Sequence, residues 1–457
     1  MSRRRLRIGA ACGTLLIPAL LGLTAPATAE STRALAVEPV ALARVVNYVE
    51  FDEGKHQKIA AHAVALINAA NPGSTVRITL YYFDRMEVAN ALIAAAKRGV
   101  KVRIVMDGWN RDREEWAALV AASKAPTPVG ERVALSTCGT RLVDWQGRDV
   151  SDRGCIANRE IDNPDESSNE PSIMHNKFMT LSSVQTTSGP VSNVVYVSSA
   201  NLDWWKGRTN PERTAYENVV TLASAELHKF FGTHYFEDLF NGPNTMGNNS
   251  YGDPDPDPET DNNFHSANHE VFTSPRQVHD GVGAAIERAA RGCSTTRTDD
   301  IIKVANFRIS RSNITGILAH AKQKGCTVQV VTGDVGDDPK TPGNDHWPAL
   351  SRLLAANIDV KVCHPHMGSY SEMHEKTLMI NHSPTAGLYI GSANMTDGAL
   401  KYADESVLRI MKTSPIWARF DEHFDALHGY CPSWDGTLPG GGGAAGAGAL
   451  TGTGDAG

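Results

Sequence analysis

The sequence predicts an α/β protein with two similar halves, each a mixed sheet flanked by helices, related by a pseudo-twofold axis. Two observations support this prediction. Each half contains the order strand, helix, glycine, strand, and the two glycines, Gly99 and Gly325, lie 226 residues apart. Each half also carries the same order of charged and polar motifs farther along the chain. A repeat of this length exceeds the periods of solenoid proteins, so we expect two domains and not a repeat array.

The elements of each half follow from short apolar runs that alternate with an amphipathic helix. A glycine after the helix is a typical C-terminal cap, and strand, helix and strand in this order indicate parallel pairing. A third strand follows in each half. The predicted strands are 76–83, 100–107 and 132–138 in the first half, and 301–307, 327–334 and 359–363 in the second.

The composition is that of an ordinary globular protein. The chain has 457 residues, of which 41% are hydrophobic and 21% are charged. These values argue against a fibre, a coiled coil or a wholly disordered chain. The formal net charge is −7, and a chain that starts at Glu30 would lack four arginines and reach −11. Because nucleic-acid binding depends on Lys and Arg that neutralise phosphates, this charge argues against nucleic acid as a partner.

The N-terminus has the pattern of an export signal. A basic segment from Arg3 to Arg7 precedes an apolar stretch at 8–23, and Ala27-Thr28-Ala29 is a small-x-small cleavage site. We therefore predict a signal peptide at 1–29 and a secreted, extracellular protein, with the export route left open. No later segment is apolar enough to span a bilayer, because a spanning helix needs about 20 apolar residues.

The remaining boundaries follow from composition. The segment 248–263 contains alternating Asp and Pro residues and is predicted to be a stiff acidic linker. It separates an N-terminal half at 30–247 from a C-terminal half at 264–435. The tail at 436–457 is rich in Gly and Ala, which predicts disorder.

Six cysteines remain after the predicted cleavage, and an even number in an exported protein predicts three disulfides. Spacing alone allows fifteen pairings. Strand starts gather at one edge of a parallel unit, and Cys293 and Cys326 both lie at that edge. Cys363 ends its strand and lies at the opposite edge. We therefore predict the pairs Cys293–Cys326, Cys363–Cys431 and Cys138–Cys155.

Three motifs recur in the same order and carry the candidate chemistry. Residues i and i+2 of a strand point to the same face, so the histidine and lysine of a His-x-Lys motif project together. A histidine beside an ammonium group and amide donors suits a phosphate whose charge changes during reaction. A glutamate can accept the other ring N–H and fix the tautomer. The candidate residues are His175, Lys177, Ser199, Asn201 and Glu217 in the first half, and His374, Lys376, Ser392, Asn394 and Glu405 in the second.

This arrangement resembles the phospholipase D superfamily, in which two His-x-Lys-x4-Asp motifs, each followed by Gly-Ser-x-Asn, meet at one active site. The likeness runs from about Val45 to Gly429 and is closest to secreted bacterial members. The resemblance implies a phosphohistidine mechanism that needs no metal and no cofactor. It also implies that both lysines and both asparagines hold the phosphoryl oxygens. By resemblance, His175 is the nucleophile and His374 is the general acid.

The sequence departs from the family pattern at three positions. Ser182 and Asn381 stand where the two motifs have Asp, and Ser198 stands where the first Gly-Ser-x-Asn motif has Gly. The second motif, which starts at Gly391, is intact. These departures leave a non-catalytic lipid- or phosphate-binding protein as an alternative to an enzyme.

Aromatic residues near the motifs favour a lipid substrate. Trp204 and Trp205 follow Asn201 and suit a lipid interface, although packing in the core or a lid explains them equally well. Trp347 lies in an acidic and aromatic segment that suits a cationic headgroup, although a solvated loop is the commoner outcome. We therefore expect a monomeric phospholipase D that acts on phospholipid at a membrane or vesicle surface. A secreted nuclease or another phosphodiesterase of the same chemistry is the alternative.

Overall fold

The two halves form two mixed sheets with matching strand order. The structure is a computed structural model, and it describes residues 39–53, 57–125, 133–139, 141–143, 149–151, 153–158, 172–204, 215–257, 261–335, 346–364, 371–382 and 384–436. The predicted signal peptide and the tail beyond residue 436 lie outside these ranges. Within them, no helix is both long and apolar enough to cross a bilayer.

The N-terminal half contains the strand–helix–strand unit and the third strand that the sequence predicts, together with further strands and helices. Its strands are β1 (Tyr48–Asp52), β2 (Thr75–Leu80), β3 (Lys101–Asp107), β4 (Ala134–Cys138), β5 (Arg141–Val143), β6 (Asp149–Ser151), β7 (Ile173–Met174), β8 (Phe178–Thr186), β9 (Gly189–Ser198) and β10 (Ala215–Ala223). Its helices are α1 (Lys58–Ala69), α2 (Met86–Lys97), α3 (Glu114–Lys124), α4 (Ala225–Lys229) and α5 (Phe236–Asn241). A π-helix, Phe230–Tyr235, joins α4 to α5.

The C-terminal half repeats this order. Its strands are β11 (Phe264–His265), β12 (His269–Ser274), β13 (Ile301–Asn306), β14 (Thr327–Thr332), β15 (Asp359–Val362), β16 (Glu372–Met373), β17 (Lys376–Ile380), β18 (Gly387–Gly391) and β19 (Ala403–Met411). Its helices are α6 (Gly281–Gly292), α7 (Ser312–Lys324), α8 (His346–Ala355), α9 (Asp397–Lys401) and α10 (Ile416–Tyr430).

The sheet topology confirms the predicted duplication. The first sheet has the order β1-β10-β9-β8-β2-β3-β4, and the second has the equivalent order β12-β19-β18-β17-β13-β14-β15 with β11 at its edge. In each sheet the three strands of the predicted βαβ unit run parallel. The other neighbours are antiparallel, so both sheets are mixed as expected. Gly99 and Gly325 have φ angles of 91° and 104°, which confirms them as helix caps.

Two short strands exchange between the halves. β7 belongs to the N-terminal half but pairs in parallel with β19, where Met174 lies opposite Asp404. In the same way β16 pairs with β10, where Met373 lies opposite Tyr216. Each exchanged strand ends immediately before a motif histidine. The described residues of both halves therefore form one compact unit.

The exchange corrects one local prediction. The sequence predicts that each His-x-Lys motif opens a strand, but His175 to Lys177 lie between β7 and β8. The backbone N–H of His175 donates to the carbonyl of Asp404 in the other half at 3.0 Å. Two residues later, the carbonyl of Lys177 accepts from Ser198 in its own half at 3.1 Å. The chain thus changes sheets within the motif, and the pattern of side chains gives no sign of this change.

The first strands of the two βαβ units end earlier than predicted. β2 ends at Leu80, and the aromatic residues from Tyr81 to Phe83 leave the sheet. In the second half, β13 ends at Asn306, one residue before Phe307. The prediction is wrong here because aromatic residues suit a strand as well as a site wall. Their departure from the sheet brings Tyr81 and Phe307 to the motif histidines.

Three large apolar clusters and a small one around Tyr81 and Ile173 form the core of the described residues. One cluster packs against the N-terminal sheet and contains residues such as Leu66 and Leu92, and another packs against the C-terminal sheet around Leu318 and Leu353. The third cluster combines side chains of both halves, and Phe51 meets Phe420 with ring centroids 5.0 Å apart. This shared cluster means that neither half buries its apolar surface alone.

The disulfide pairs confirm the prediction. Cys138–Cys155, Cys293–Cys326 and Cys363–Cys431 have Cα separations of 4.6, 5.3 and 5.0 Å. Cys326 lies one residue before β14, and Cys363 lies one residue after β15, at opposite edges of the parallel strands. The argument from sheet edges is therefore correct for this protein.

The segment 248–263 is attached to both halves. The carboxylate of Asp253 accepts backbone N–H groups of Gln277, Val278 and His279. Toward the other half, Asn249 Oδ1 accepts the N–H of Asn158 at 2.8 Å. The described part of the predicted linker is thus fixed by hydrogen bonds.

Candidate active site

The two motif histidines each bind a glutamate of the other half. His175 Nδ1 lies 2.7 Å from Glu405 Oε1, and His374 Nδ1 lies 2.5 Å from Glu217 Oε1. Such a bond fixes the orientation and tautomer of the imidazole ring. The sequence identifies both glutamates as partners, but the folded chain pairs them across the halves. Each His–Glu pair therefore exists only when the halves are together.

The two motif lysines lie beside their own histidines. Lys177 Nζ donates to the carbonyl of His175 at 2.9 Å, and Lys376 Nζ donates to the carbonyl of His374 at 2.7 Å. Lys376 Nζ is also 3.0 Å from both ring nitrogens of His374. All four side chains are buried. The arrangement places ammonium and imidazole groups of both halves in one enclosed site.

The two motif asparagines carry amide atoms without partners. Asn201 Oδ1 and both amide atoms of Asn394 are buried and have no hydrogen-bond partner among the described residues. Buried polar atoms nearly always have partners, because desolvation without one costs about 1–3 kcal/mol. These amides are therefore suited to bind a ligand, and the unpartnered N–H groups of Asn394 suit phosphoryl oxygens.

The two motif serines contact the glutamate strands. Ser199 Oγ donates to Glu217 Oε2 at 2.5 Å and accepts the backbone N–H of Asn218 at 3.0 Å. In the other half, Ser392 Oγ accepts the N–H of Ser406 at 3.2 Å. These contacts hold the motif loops against the strands that carry Glu217 and Glu405. A direct contact with substrate, as expected from the sequence, stays a prediction for both serines.

Sequence reasoning missed three residues of the site wall. Tyr81 meets His175 with ring centroids 4.6 Å apart, and Phe307 meets His374 at the same distance. Both residues directly follow the first parallel strand of their half, and they are 226 residues apart like Gly99 and Gly325. Arg308 adds a further positive charge that acts on both histidines. The signal that identifies them is their place at the carboxyl ends of parallel strands, where ligands bind in α/β sheets.

Burial and positive charge determine the protonation of the site. Burial lowers the pKa of both His175 and His374 well below the ordinary value, and the neighbouring lysines lower it further. Burial also raises the pKa of Glu217 to about 8 and that of Glu405 to about 7. Each His–Glu pair therefore retains a proton near neutral pH. The pKa of Lys177 falls to about 7, first through burial and then through Lys376, so an anion is needed to balance these cations.

The two positions without the family's Asp lie away from the histidines. Ser182 is five residues beyond Lys177 along β8, which is about 16 Å in an extended strand. Its hydroxyl accepts the N–H of Thr75 at the start of β2 at 2.8 Å. Asn381 occupies the equivalent place, where its N–H donates to the carbonyl of Ile301 at 2.9 Å and its side chain contacts Lys412. Both residues hold strand starts at the far edge of their sheets.

The tryptophans of the sequence prediction have different outcomes. Trp204 is partly buried, and the guanidinium of Arg85 lies 4.0 Å from the centroid of its ring. Its backbone N–H donates to Asp84 at 2.7 Å, so this tryptophan packs on the protein. Trp205 and the side chain of Trp347 lie outside the described residues. A role of these residues at a lipid surface or headgroup stays a prediction.

No metal cluster accompanies this site in the described ranges. Among those residues, no group of three or more His, Cys, Asp or Glu side chains could hold a metal ion. The polar groups of the site are instead imidazoles, ammonium groups, amides and carboxylates. Such a set supports acid–base and nucleophilic chemistry at a phosphate.

Comparison with known proteins agrees with this geometry. A family model described as "Cardiolipin synthase, PLD-like domain" matches residues 63–239 and 294–428. Phosphatidylserine synthase from Haemophilus influenzae Rd KW20 is similar with a TM-score of 0.55 and 11% identity, over 88% of this chain and 90% of that chain. Polyphosphate kinase from Porphyromonas gingivalis is similar with a TM-score of 0.50 and 15% identity, over 83% of this chain and 50% of that chain. At these identities the two structures show the fold alone.

The chain spans half the length of the polyphosphate kinase. No curated protein sequence gives a match. The family model covers both halves and includes every motif residue from His175 to Glu217 and from His374 to Glu405. The chain therefore belongs to the phospholipase D-like family, whose superfamily consists of phosphoryl-transfer enzymes.

Proposed function

We propose that the protein is a secreted phosphodiesterase that hydrolyses phospholipid headgroups through a phosphohistidine intermediate. One observation carries the proposal: two histidines, each bound to a glutamate of the other half, share one buried site with two lysines, the unpartnered amide of Asn394 and the unpartnered amide oxygen of Asn201. A single phosphate accounts for the lysines and for the Asn394 amide. Its charge balances the lysines, and its oxygens accept from the N–H groups of Asn394.

The first step makes the covalent intermediate. His175 Nε2 attacks phosphorus, the bond between phosphorus and the headgroup oxygen breaks, and His374 gives that oxygen its proton. The anionic substrate draws the proton of the Glu217–His374 pair onto the imidazole before the step. The lysines and asparagines stabilise the charge that develops on the other phosphoryl oxygens.

The second step releases the lipid. His374, now neutral, takes a proton from water, and the water oxygen attacks phosphorus. The bond between phosphorus and His175 Nε2 breaks, which yields a phosphomonoester and restores the protonated His374. An alcohol in place of water would give a new phosphodiester by the same route.

The choice of a phospholipid rests on four points. The chain carries a predicted signal peptide, and its formal net charge of −7 does not favour binding to a polyanionic polymer. The description of the matching family model names a lipid synthase, cardiolipin synthase. The phosphatidylserine synthase with the same fold also bears a lipid name. Each of these points supports a phospholipid, and none identifies its headgroup.

A headgroup-release assay tests the proposal. The protein lacking residues 1–29 is incubated in EDTA with vesicles of phosphatidylcholine, phosphatidylethanolamine, phosphatidylglycerol or cardiolipin, and with single- and double-stranded DNA. Mass spectrometry then measures phosphatidic acid, released headgroup and any new diester. We expect phosphatidic acid from at least one lipid and none with His175→Asn. Cleavage of DNA alone would establish a nuclease, and vesicle binding without any product would establish a non-catalytic protein.

A further inference from the structure

The middle residues of the two His-x-Lys motifs point away from the site, and their surroundings differ in charge. Asn176 occupies this place in the N-terminal half and Glu375 in the C-terminal half. Each is met by a side chain from the helix that follows the glutamate strand. These helix residues are Tyr235 and His423, which are 188 residues apart, the same separation as Glu217 and Glu405. The duplication thus provides two versions of one contact.

The N-terminal version is neutral. Asn176 Nδ2 donates to the hydroxyl of Tyr235 at 2.7 Å and to the carbonyl of Asp404 at 2.8 Å. Its Oδ1 accepts the hydroxyl of Ser406 at 2.8 Å, and Tyr235 donates to the carbonyl of Glu405 at 2.9 Å. These bonds hold the backbone between His175 and Lys177 against the strand that carries Glu405.

The C-terminal version is ionic. Glu375 Oε1 lies 2.5 Å from His423 Nε2, and His423 Nδ1 lies 3.0 Å from Glu53 Oε1. The second oxygen, Glu375 Oε2, accepts from the side chains of Asn218 and Thr377 at 3.1 Å each. The ring of His423 also stacks on Phe51 with centroids 3.8 Å apart. This chain of contacts runs from the half-exposed Glu53 after β1 to the residue next to Glu217.

We propose that Glu53, His423 and Glu375 form an ionic link that positions His374 and Glu217 from behind the catalytic face. The inference rests on the phosphodiesterase function proposed above, because it assigns positioning residues to that site. Glu375 joins His374 to Lys376 along the chain, and its partner Asn218 follows Glu217. A shift of Glu375 therefore moves both members of the His374–Glu217 pair. The equivalent neutral contacts of Asn176 and Tyr235 do the same for the other pair.

The charges around His423 make this link dependent on pH. Burial alone would lower the pKa of His423, but the Glu375 and Glu53 carboxylates outweigh it and raise the pKa to about 9. The pKa lies above the ordinary 6.5, so the contribution of the link is complete below about pH 6.5 and is lost as the pH rises through about 9. Tyr216 lies near Glu53, and burial raises its pKa, so it stays neutral in this range. On the helix itself, Asp421 and Asp425 bind Lys303.

Replacement of His423 tests the link, and the other half supplies the control. His423→Gln and Tyr235→Phe are compared with the wild type on bis(p-nitrophenyl) phosphate from pH 6 to pH 10. We expect kcat of His423→Gln to be lower by about 10- to 100-fold near pH 7, as for a small displacement of catalytic groups. The ratio of the wild-type kcat to that of His423→Gln should fall toward one as the pH rises from 8 to 10, because the wild type then loses the same link. Taking the ratio cancels the titration of the lysines and of Glu217, which both proteins share.

The Tyr235→Phe variant should show a ratio that does not change with pH, because burial raises the pKa of Tyr235 well above 10 and the residue stays neutral. If His423→Gln does not fold, Glu53→Gln replaces it, and we expect a smaller effect with the same pH dependence. A kcat ratio for His423→Gln, or for Glu53→Gln where it is used instead, that stays constant with pH or stays at one throughout would overturn the proposal.

A second readout separates this proposal from the proposed function. Calorimetry measures the affinity for inorganic phosphate, which needs no turnover. A wild type without activity contradicts the phosphodiesterase function. The link is still supported if His423→Gln binds phosphate more weakly than the wild type at pH 7 and this difference in affinity becomes smaller at pH 10. Equal affinities at both pH values would contradict the link whether or not the enzyme is active.

Discussion

At the scale of single residues, the site contains two chemically similar histidines with different surroundings. His175 has Tyr81 against its ring, whereas His374 has Phe307 and lies within 3.0 Å of Lys376 Nζ. Burial lowers the pKa of both rings, so neither is protonated without its glutamate or a bound anion. One ring must be neutral to attack and the other protonated to donate. The assignment of His175 as nucleophile follows from the family resemblance and is open to a direct test.

Asparagine substitutions of the two histidines should have different effects. His175→Asn removes the nucleophile, so p-nitrophenyl and choline esters should both fail. His374→Asn removes the proton donor, which is needed for a poor alkoxide leaving group and less so for p-nitrophenolate. Rapid-quench measurement should therefore show a burst of p-nitrophenol only with His374→Asn. A burst only with His175→Asn would reverse the two roles, and no burst with either would mean that leaving-group protonation does not distinguish them.

At the scale of elements, the two motif loops solve the same packing problem differently. Gly391 ends β18, and a Cβ at this position would lie 2.0 Å from the carbonyl oxygen of Ser406. In the N-terminal half Ser198 stands at this place, and its hydroxyl donates to the carbonyl of Asn218 at 2.7 Å. At the glycine position of the family pattern, the C-terminal half therefore keeps a close contact between the backbones of β18 and β19. The other half replaces it with a side-chain hydrogen bond.

The substitution Gly391→Ala should destabilise the protein. The new methyl group would overlap the backbone of β19, and we expect a loss of about 2–3 kcal/mol in the free energy of unfolding. Gly189→Ala is the matched control, because Gly189 has a φ of 119° but no atom within 4 Å of an added Cβ. Urea unfolding with the disulfides intact measures both variants. Equal stability of Gly391→Ala and Gly189→Ala would show that β19 moves aside at little cost.

At the scale of the whole molecule, the site depends on contacts between the halves. Apart from the exchanged strands, the carboxylate of Asp404 in the C-terminal half accepts three backbone N–H groups of the N-terminal half, at 2.6, 3.2 and 2.7 Å. The donors are Cys155, Ile156 and Ala157. The same strand, β19, then provides Glu405 to His175. Three successive residues of β19, from Ala403 to Glu405, therefore hold the two halves together through sheet pairing, a buried carboxylate and the catalytic pair.

The crossed pairing predicts which glutamate serves which step. Glu405→Gln weakens the hydrogen bond that orients His175 and should reduce the rate of the p-nitrophenol burst by about 100-fold or more. Glu217→Gln weakens the support of His374 and should preserve the burst while slowing the release of choline. Rapid-quench assays with both esters measure these effects, and thermal unfolding confirms that both variants fold. The opposite pattern would indicate that each glutamate serves the histidine of its own half.

The sequence alone determined the duplication, the mixed sheets, the disulfide pairs and the motif residues. These features follow from local patterns: apolar alternation, glycines after helices, and the repeated order of His-x-Lys, Ser-x-Asn and Glu. The edge of the sheet at which Cys293 and Cys326 lie, each before a strand, is also fixed by the order of strand and helix. Such patterns extend over a few residues or repeat at fixed separation, so they can be read without knowledge of distant contacts.

Only the tertiary structure decided which groups of the two halves meet. The exchange of β7 and β16, the pairing of His175 with Glu405, and the ionic partner of Glu375 all join residues more than 40 positions apart. Two similar halves offer each histidine two equivalent glutamates, so no local pattern distinguishes them. Burial of the shared core around Phe51 and Phe420 joins the halves, and the two exchanged strands place each motif against the opposite sheet.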